Sequence, residues 1–226
     1  FLDFASAPTL VVPKLARGTR GGYIALRSFL GANIRQEVEP PSSFANVVVR
    51  PGVVDWDFSK VVEAPVPAMP GLVSQFRMSA AFTPAEGAIV DIPTSLGNEA
   101  AWPLVKALPS GLVLIGREVP VPAGARRYAT VAALRVRAAE AGIKRLRLGF
   151  SDEISVFLNG RILYSGDQRY IFNFPRQEGL IHLDQASLYL PLVKGDNEIR
   201  LVVSEVFGGW GLMARFDDPS GLVVEP

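Results

Sequence analysis

The 226-residue chain contains no cysteine and a single histidine, His182. The first absence removes disulfides, thiolate metal sites and a cysteine nucleophile. The second makes any Ser-His-Asp triad or zinc site depend on one imidazole, and no Gly-x-Ser-x-Gly elbow accompanies it. Charge of one sign is lacking too, because 23 Lys and Arg stand against 22 Asp and Glu, a net charge of +1. That balance gives no global attraction to nucleic acid or to an anionic membrane surface, so neither is an expected partner. Apolar runs are short and broken by Gly, Pro or charge, well below the ~20 residues of a membrane-spanning helix. Walker loops, dinucleotide fingerprints, zinc spacings and RNA-binding signatures are missing as well. What remains is a chain that is 49% hydrophobic, which excludes wholesale disorder.

Helical periodicity is nearly absent. The Ala-rich stretch 131–141 is the best helical candidate. Yet Tyr128, Thr130, Ala132, Leu134 and Val136 also alternate at period two, so it reads as a strand. Twelve of the 18 prolines fall in 40–122, which argues against long regular elements there. In that section Trp56 and Trp102 read as anchors under loops, and 112–115 as a strand. The clearest patterns come later. Leu146, Leu148 and Phe150 alternate with polar or small residues, as do Leu188, Leu190 and Leu192, and then Ile199, Leu201 and Val203. Asn159-Gly160 between two apolar runs predicts a type I′ hairpin, since both central positions need positive φ. The sum is an all-β, antiparallel sandwich.

The stretch from Phe150 to Arg161 with its Val-Phe-Leu-Asn-Gly, the later Leu192-Val193-Lys194-Gly195-Asp196-Asn197-Glu198-Ile199, and Gly208-Gly209-Trp210-Gly211 resemble galactose-binding-domain-like jelly rolls, the β-sandwich modules attached to many glycoside hydrolases. This resemblance spans 51–226 and is carried mainly from Arg127 onward. Residues 1–50, with Pro8-Thr9-Leu10-Val11-Val12 and Gly21-Gly22-Tyr23-Ile24-Ala25-Leu26, are similar to the last strands of concanavalin A-like or laminin-G-like jelly rolls. The implied organisation is two consecutive modules of a larger extracellular or periplasmic protein. The chain begins at Phe1 rather than Met, and the rest of the first jelly roll is expected before it. Both resemblances imply a carbohydrate ligand. They also allow a structural calcium held by carboxylates and loop carbonyls, with no other cofactor expected. The matching motifs are turns and core strands and specify a sandwich rather than a sugar site.

The best binding candidate is the aromatic segment Tyr164, Asp167, Arg169, Tyr170, Phe172, Asn173 and Arg176. Aromatic faces can stack on sugar C–H faces while planar polar groups hold hydroxyls. Asp152, Trp210 (flanked by glycines) and Arg215 are further ligand candidates, with a core position as the alternative for Trp210. Asp152-Glu153 reads as a turn or an ion pair with Arg145 or Arg147, because strand neighbours face opposite sides and cannot serve as a carboxylate pair. His182 reads as a packed residue. No catalytic residue is assigned. Residues 126–147 carry seven basic side chains against Glu140 alone, and 178–226 carry eight acids against three bases. The basic strip either meets an acidic glycan or is neutralised by the acidic strands within the fold. The expected function is a noncatalytic carbohydrate-binding or accessory module. The alternatives are part of a glycoside hydrolase or a purely structural sandwich.

Overall fold

The computed structural model describes residues 69–85, 87, 89–170 and 180–226, with Ala45 and Val47 besides. The N-terminal jelly-roll strands, the boundary near residue 50 and Trp56 lie outside them. From residue 69 onward the described residues belong to one compact unit, Trp56–Pro226.

Eleven strands dominate the described residues: β1 (Gln75–Met78), β2 (Leu104–Lys106), β3 (Val113–Leu114), β4 (Tyr128–Ala138), β5 (Gly142–Ser151), β6 (Glu153–Leu158), β7 (Arg161–Asp167), β8 (Ala186–Leu192), β9 (Gly195–Glu205), β10 (Gly211–Phe216) and β11 (Leu222–Glu225). The larger sheet runs β2-β1-β4-β9-β6-β7, the smaller β3-β10-β5-β8. Every pairing is antiparallel. One edge of the long β4 serves two short strands in succession, β1 opposite Ala132 and Ala133 and β11 opposite Arg135 to Ala138. The all-β sandwich expected from the alternation is what forms, and the Ala-rich stretch is strand β4.

Alternation places the core. Leu134, Val136, Leu146, Leu148, Phe150, Leu188, Leu190, Ile199, Leu201 and Val203 are all buried in one cluster between the sheets. Arg135 and Arg137 take the intervening exposed positions on β4. The first half of β4 does not alternate. Ala129, Val131 and Ala133 are buried on its other face, with Val202, Val90 and Trp102. Phe82, Val90, Ile92, Leu96 and Trp102 pack over that outer face and roof it, so this part of the sheet is apolar on both sides. Trp102 anchors the roof, its indole N–H donating to the Leu96 carbonyl at 3.0 Å. The strand expected over 112–115 is shorter. β3 stops at Leu114, and Ile115–Glu118 forms one helical turn, α1, that buries Ile115.

Two turns explain the motifs behind the resemblance. Asn159 and Gly160 stand at φ 50° and 77° between β6 and β7, the left-handed positions that a tight hairpin requires. Asn197 is 1% exposed. Its amide donates to the carbonyls of Val136, Val193 and Gly195, and its Oδ1 accepts from the Val193 N–H at 2.9 Å. That side chain closes the β8–β9 turn by satisfying backbone groups that would otherwise be buried unpaired.

Candidate functional site

Antiparallel register brings six strand ends to one end of the sandwich. β6 begins there at Glu153 and β7 finishes there at Asp167, the two residues being register partners. Glu153 also faces Ser204 near the end of β9, and Tyr128 at the start of β4 faces Glu205. Ser151, closing β5, faces Gly211, opening β10.

A groove of about 500 Å³ opens at this end, lined by Gly87, Arg127, Glu153, Ser165, Asp167 and Arg169, with Gly166 between the last strand residues. That volume lies in the range of small-molecule sites. Its charges form a chain. The Arg127 guanidinium contacts Glu153 Oε2 at 2.8 Å and is held from behind by the carbonyls of Ala85 and Gly87 at 2.9 and 3.2 Å. Glu153 Oε1 lies 3.6 Å from Arg169 Nε. Arg169 in turn grips Asp167, with Nε 3.0 Å from each carboxylate oxygen and a second guanidinium nitrogen 2.5 Å from Oδ2. Burial works against the Asp167 charge, but the Arg169 guanidinium and backbone N–H outweigh it and hold this carboxyl below the usual carboxylate range. The Arg169 and Asp167 side chains are 43% and 40% exposed.

Behind the groove the same end holds a buried acidic pair. Asp152 and Glu205 are 1% and 2% exposed. Asp152 is satisfied, its Oδ2 accepting from the Val206 and Phe207 N–H groups, both at 2.8 Å. Glu205 Oε2 is buried without a hydrogen-bond partner. Burial, then the neighbouring Asp152 charge, push the Glu205 carboxyl up to about 7. No group of three or more His, Cys, Asp or Glu able to hold a metal occurs among the described residues.

The sequence-derived candidates separate. Asp167 and Arg169 line the groove, and Tyr170, 39% exposed, follows directly. Phe172, Asn173 and Arg176 lie outside the described residues. Tyr164 packs against the core cluster. Its ring leans over Gly166, where an added Cβ would come within 2.5 Å of the Tyr164 hydroxyl. Trp210 takes its core alternative. It is 5% exposed, its indole N–H donates to the Val203 carbonyl at 3.1 Å, and Tyr128 meets it edge-on at 4.9 Å. No face of that indole is free to stack on a sugar. Arg215 stands in the smaller sheet towards the opposite end of β10, donating to the Pro70 carbonyl at 3.1 Å.

Two other expectations change. Glu153 pairs with Arg127 and Arg169, not with Arg145 or Arg147. His182 is exposed rather than packed. Its backbone is what packs, against Gly149, where a Cβ would meet the His182 carbonyl oxygen at 2.5 Å. Sequence reasoning missed Arg127 and Glu153 as groove residues because their partners are 26 residues apart in the chain. It also missed Phe207, which is 75% exposed. The signal available for Phe207 was its place beside Gly208 and Gly209, a segment where attention fell on the neighbouring tryptophan.

No family model and no curated protein matches the chain. Solved structures show partial likeness. A family 35 carbohydrate binding module from an environmental isolate shares 22% identity, over 42% of this chain and 68% of that one, at TM-score 0.29. A β-glucosidase from Kluyveromyces marxianus shares 13% identity over 66% of this chain, but only 16% of its own length is covered, at TM-score 0.38. The PA14 domain of the antifreeze protein MpAFP shares 13% identity over 68% of this chain and 70% of its own, at TM-score 0.32. No helix among the described residues is long and apolar enough to cross a membrane.

Proposed function

We propose that this chain is a noncatalytic carbohydrate-binding or accessory module of a larger extracellular or periplasmic protein. The ligand is taken at the groove of Arg127, Glu153, Asp167 and Arg169. The observation that carries this is the open chain of alternating guanidinium and carboxylate groups, each fixed by its neighbour. Sugar hydroxyls are both donors and acceptors, and planar groups held in place meet them with little ordering cost. Asp167 is kept ionised, so it accepts hydrogen bonds; an acid of glycoside hydrolysis must instead hold a proton to give away.

The test is a screen of the purified chain against neutral and acidic glycans, repeated with Asp167→Asn and Arg169→Ala and with product analysis for cleavage. Selective binding, lost in both variants while the thermal transition is kept, is the expected result. Absence of binding to any glycan overturns the proposal, and release of shortened glycans moves the function to a hydrolase.

A further inference from the structure

The Phe207 side chain is 75% exposed and its neighbour Val206 is 40% exposed, directly after the buried Glu205. Left to itself, a phenyl group at the end of a strand folds back onto apolar surface. Here the backbone beneath it is fixed by a buried charge. Asp152 Oδ2 accepts from both the Val206 and Phe207 N–H groups, while Asp152 Oδ1 accepts from the Ser151 hydroxyl at 3.0 Å. The backbone of Asp152 extends the tie in two directions. Its N–H donates to the Ser204 carbonyl, and its carbonyl accepts from the Gln168 N–H, both at 2.8 Å. Gln168 lies between Asp167 and Arg169. One buried carboxylate residue therefore fastens the groove wall and the Phe207 loop to each other. Charge-assisted bonds to backbone are among the stronger hydrogen bonds, so the loop is held rather than merely allowed to stand out.

Resting on the carbohydrate reading above, we propose that Phe207 is the apolar stacking surface for the glycan taken in the groove, and that Asp152 is the positioning residue that presents it. The chemistry matched is the C–H face of a pyranose ring, with its hydroxyls turned to Asp167 and Arg169. An anionic lipid surface, the other target that suits an exposed phenylalanine, is disfavoured by the charge of this end. In the groove Glu153 and Asp167 offset Arg127 and Arg169, so it offers no surplus positive charge to a negative leaflet, which attracts basic surfaces.

Titration calorimetry with cellohexaose, xylohexaose, mannohexaose and an oligogalacturonate tests this, with flotation on phosphatidylcholine–phosphatidylserine vesicles alongside. Phe207→Ala is expected to weaken the bound glycan roughly five- to tenfold, the scale of an aromatic contact. Phe207→Trp is expected to keep the affinity. In an Asp152→Asn background, Phe207→Ala is expected to cost much less than in the parent, a coupling that simple loss of stability does not produce. If Asp152→Asn fails to fold, the pair Phe207→Ala and Phe207→Trp decides alone. Unchanged affinity in Phe207→Ala, with binding lost in Arg169→Ala, overturns this proposal and leaves the groove reading standing. Vesicle binding that depends on Phe207, without a glycan effect, also overturns it. No binding of any of the four oligosaccharides by the parent removes the groove reading and this one together.

Discussion

On the smaller sheet, Arg147 shares Asp217 with Arg145 and also holds Asp184, while Lys144 holds Asp218. On the larger sheet, Arg127 and Arg169 share Glu153 in a groove roofed in part by Gly87. The residue types are the same, and the outcomes differ through what lies over them. The smaller sheet's arginines lie in register beside β8 and β10, so acids from the later chain reach across and neutralise them. This settles the basic strip of 126–147 in favour of compensation at Arg137, Lys144, Arg145 and Arg147. The larger sheet carries a crossing segment on its outer face. The Ala85 and Gly87 carbonyls hold Arg127 beside the groove that β7 lines. In the smaller sheet the compensated charges lie on an open face, whereas in the larger sheet the same residue types line a groove.

The largest effect expected from breaking this contrast lies in the roof. Trp102→Ala removes the anchor of the outer cluster and should destabilise the domain by about 3 kcal/mol in urea titration. Tyr189→Ala, on the uncovered outer face of the smaller sheet, should change stability by less than about 0.5 kcal/mol.

Next comes Glu205. Its folded carboxyl titrates near 7 against 4.5 for the free group, so its contribution to stability is fully present below pH ~4.5 and is lost as pH rises through about 7. Stability should therefore fall by roughly 2–3 kcal/mol between pH 4.5 and pH 8 through this group. Glu205→Gln should flatten that slope and be the more stable protein at pH 8. A slope unchanged in the variant would refute the assignment.

Arg127→Met should cost about 1 kcal/mol, since it takes the nearer cation from the mostly buried Glu153 and leaves it only Arg169, while the exposed Ala85 and Gly87 carbonyls return to water. A smaller effect belongs to Arg147→Gln. Its ion pairs are solvent-accessible, and the loss should be under ~1 kcal/mol and shrink further in high salt.

Legibility in the sequence followed the range of the interactions. The Asn159-Gly160 hairpin was readable because its cause is local, two adjacent left-handed residues. The inward leucines of β5 and β8 were readable because period two is a property of the strand itself. Within the site, Asp167 and Arg169 were found because they sit two residues apart beside aromatic residues. Their partner Glu153 reads from the sequence as a partner of Arg145 or Arg147, which lie nearer along the chain than Arg127, 26 residues away. Trp210 and Phe207 differ by three positions, and composition favours the tryptophan as the sugar-stacking ring. In the fold Trp210 is buried against Tyr128 and the Val203 carbonyl, and Phe207 is the exposed ring.

The sequence by itself determined the class of this protein: alternation sets which residues face inward, and Gly and Asn set where the chain turns. Tertiary structure decided the site. Ion pairing, roofing and the burial of Asp152 and Glu205 all join residues distant along the chain, and their energies depend on separation and exposure in space, which sequence order does not encode.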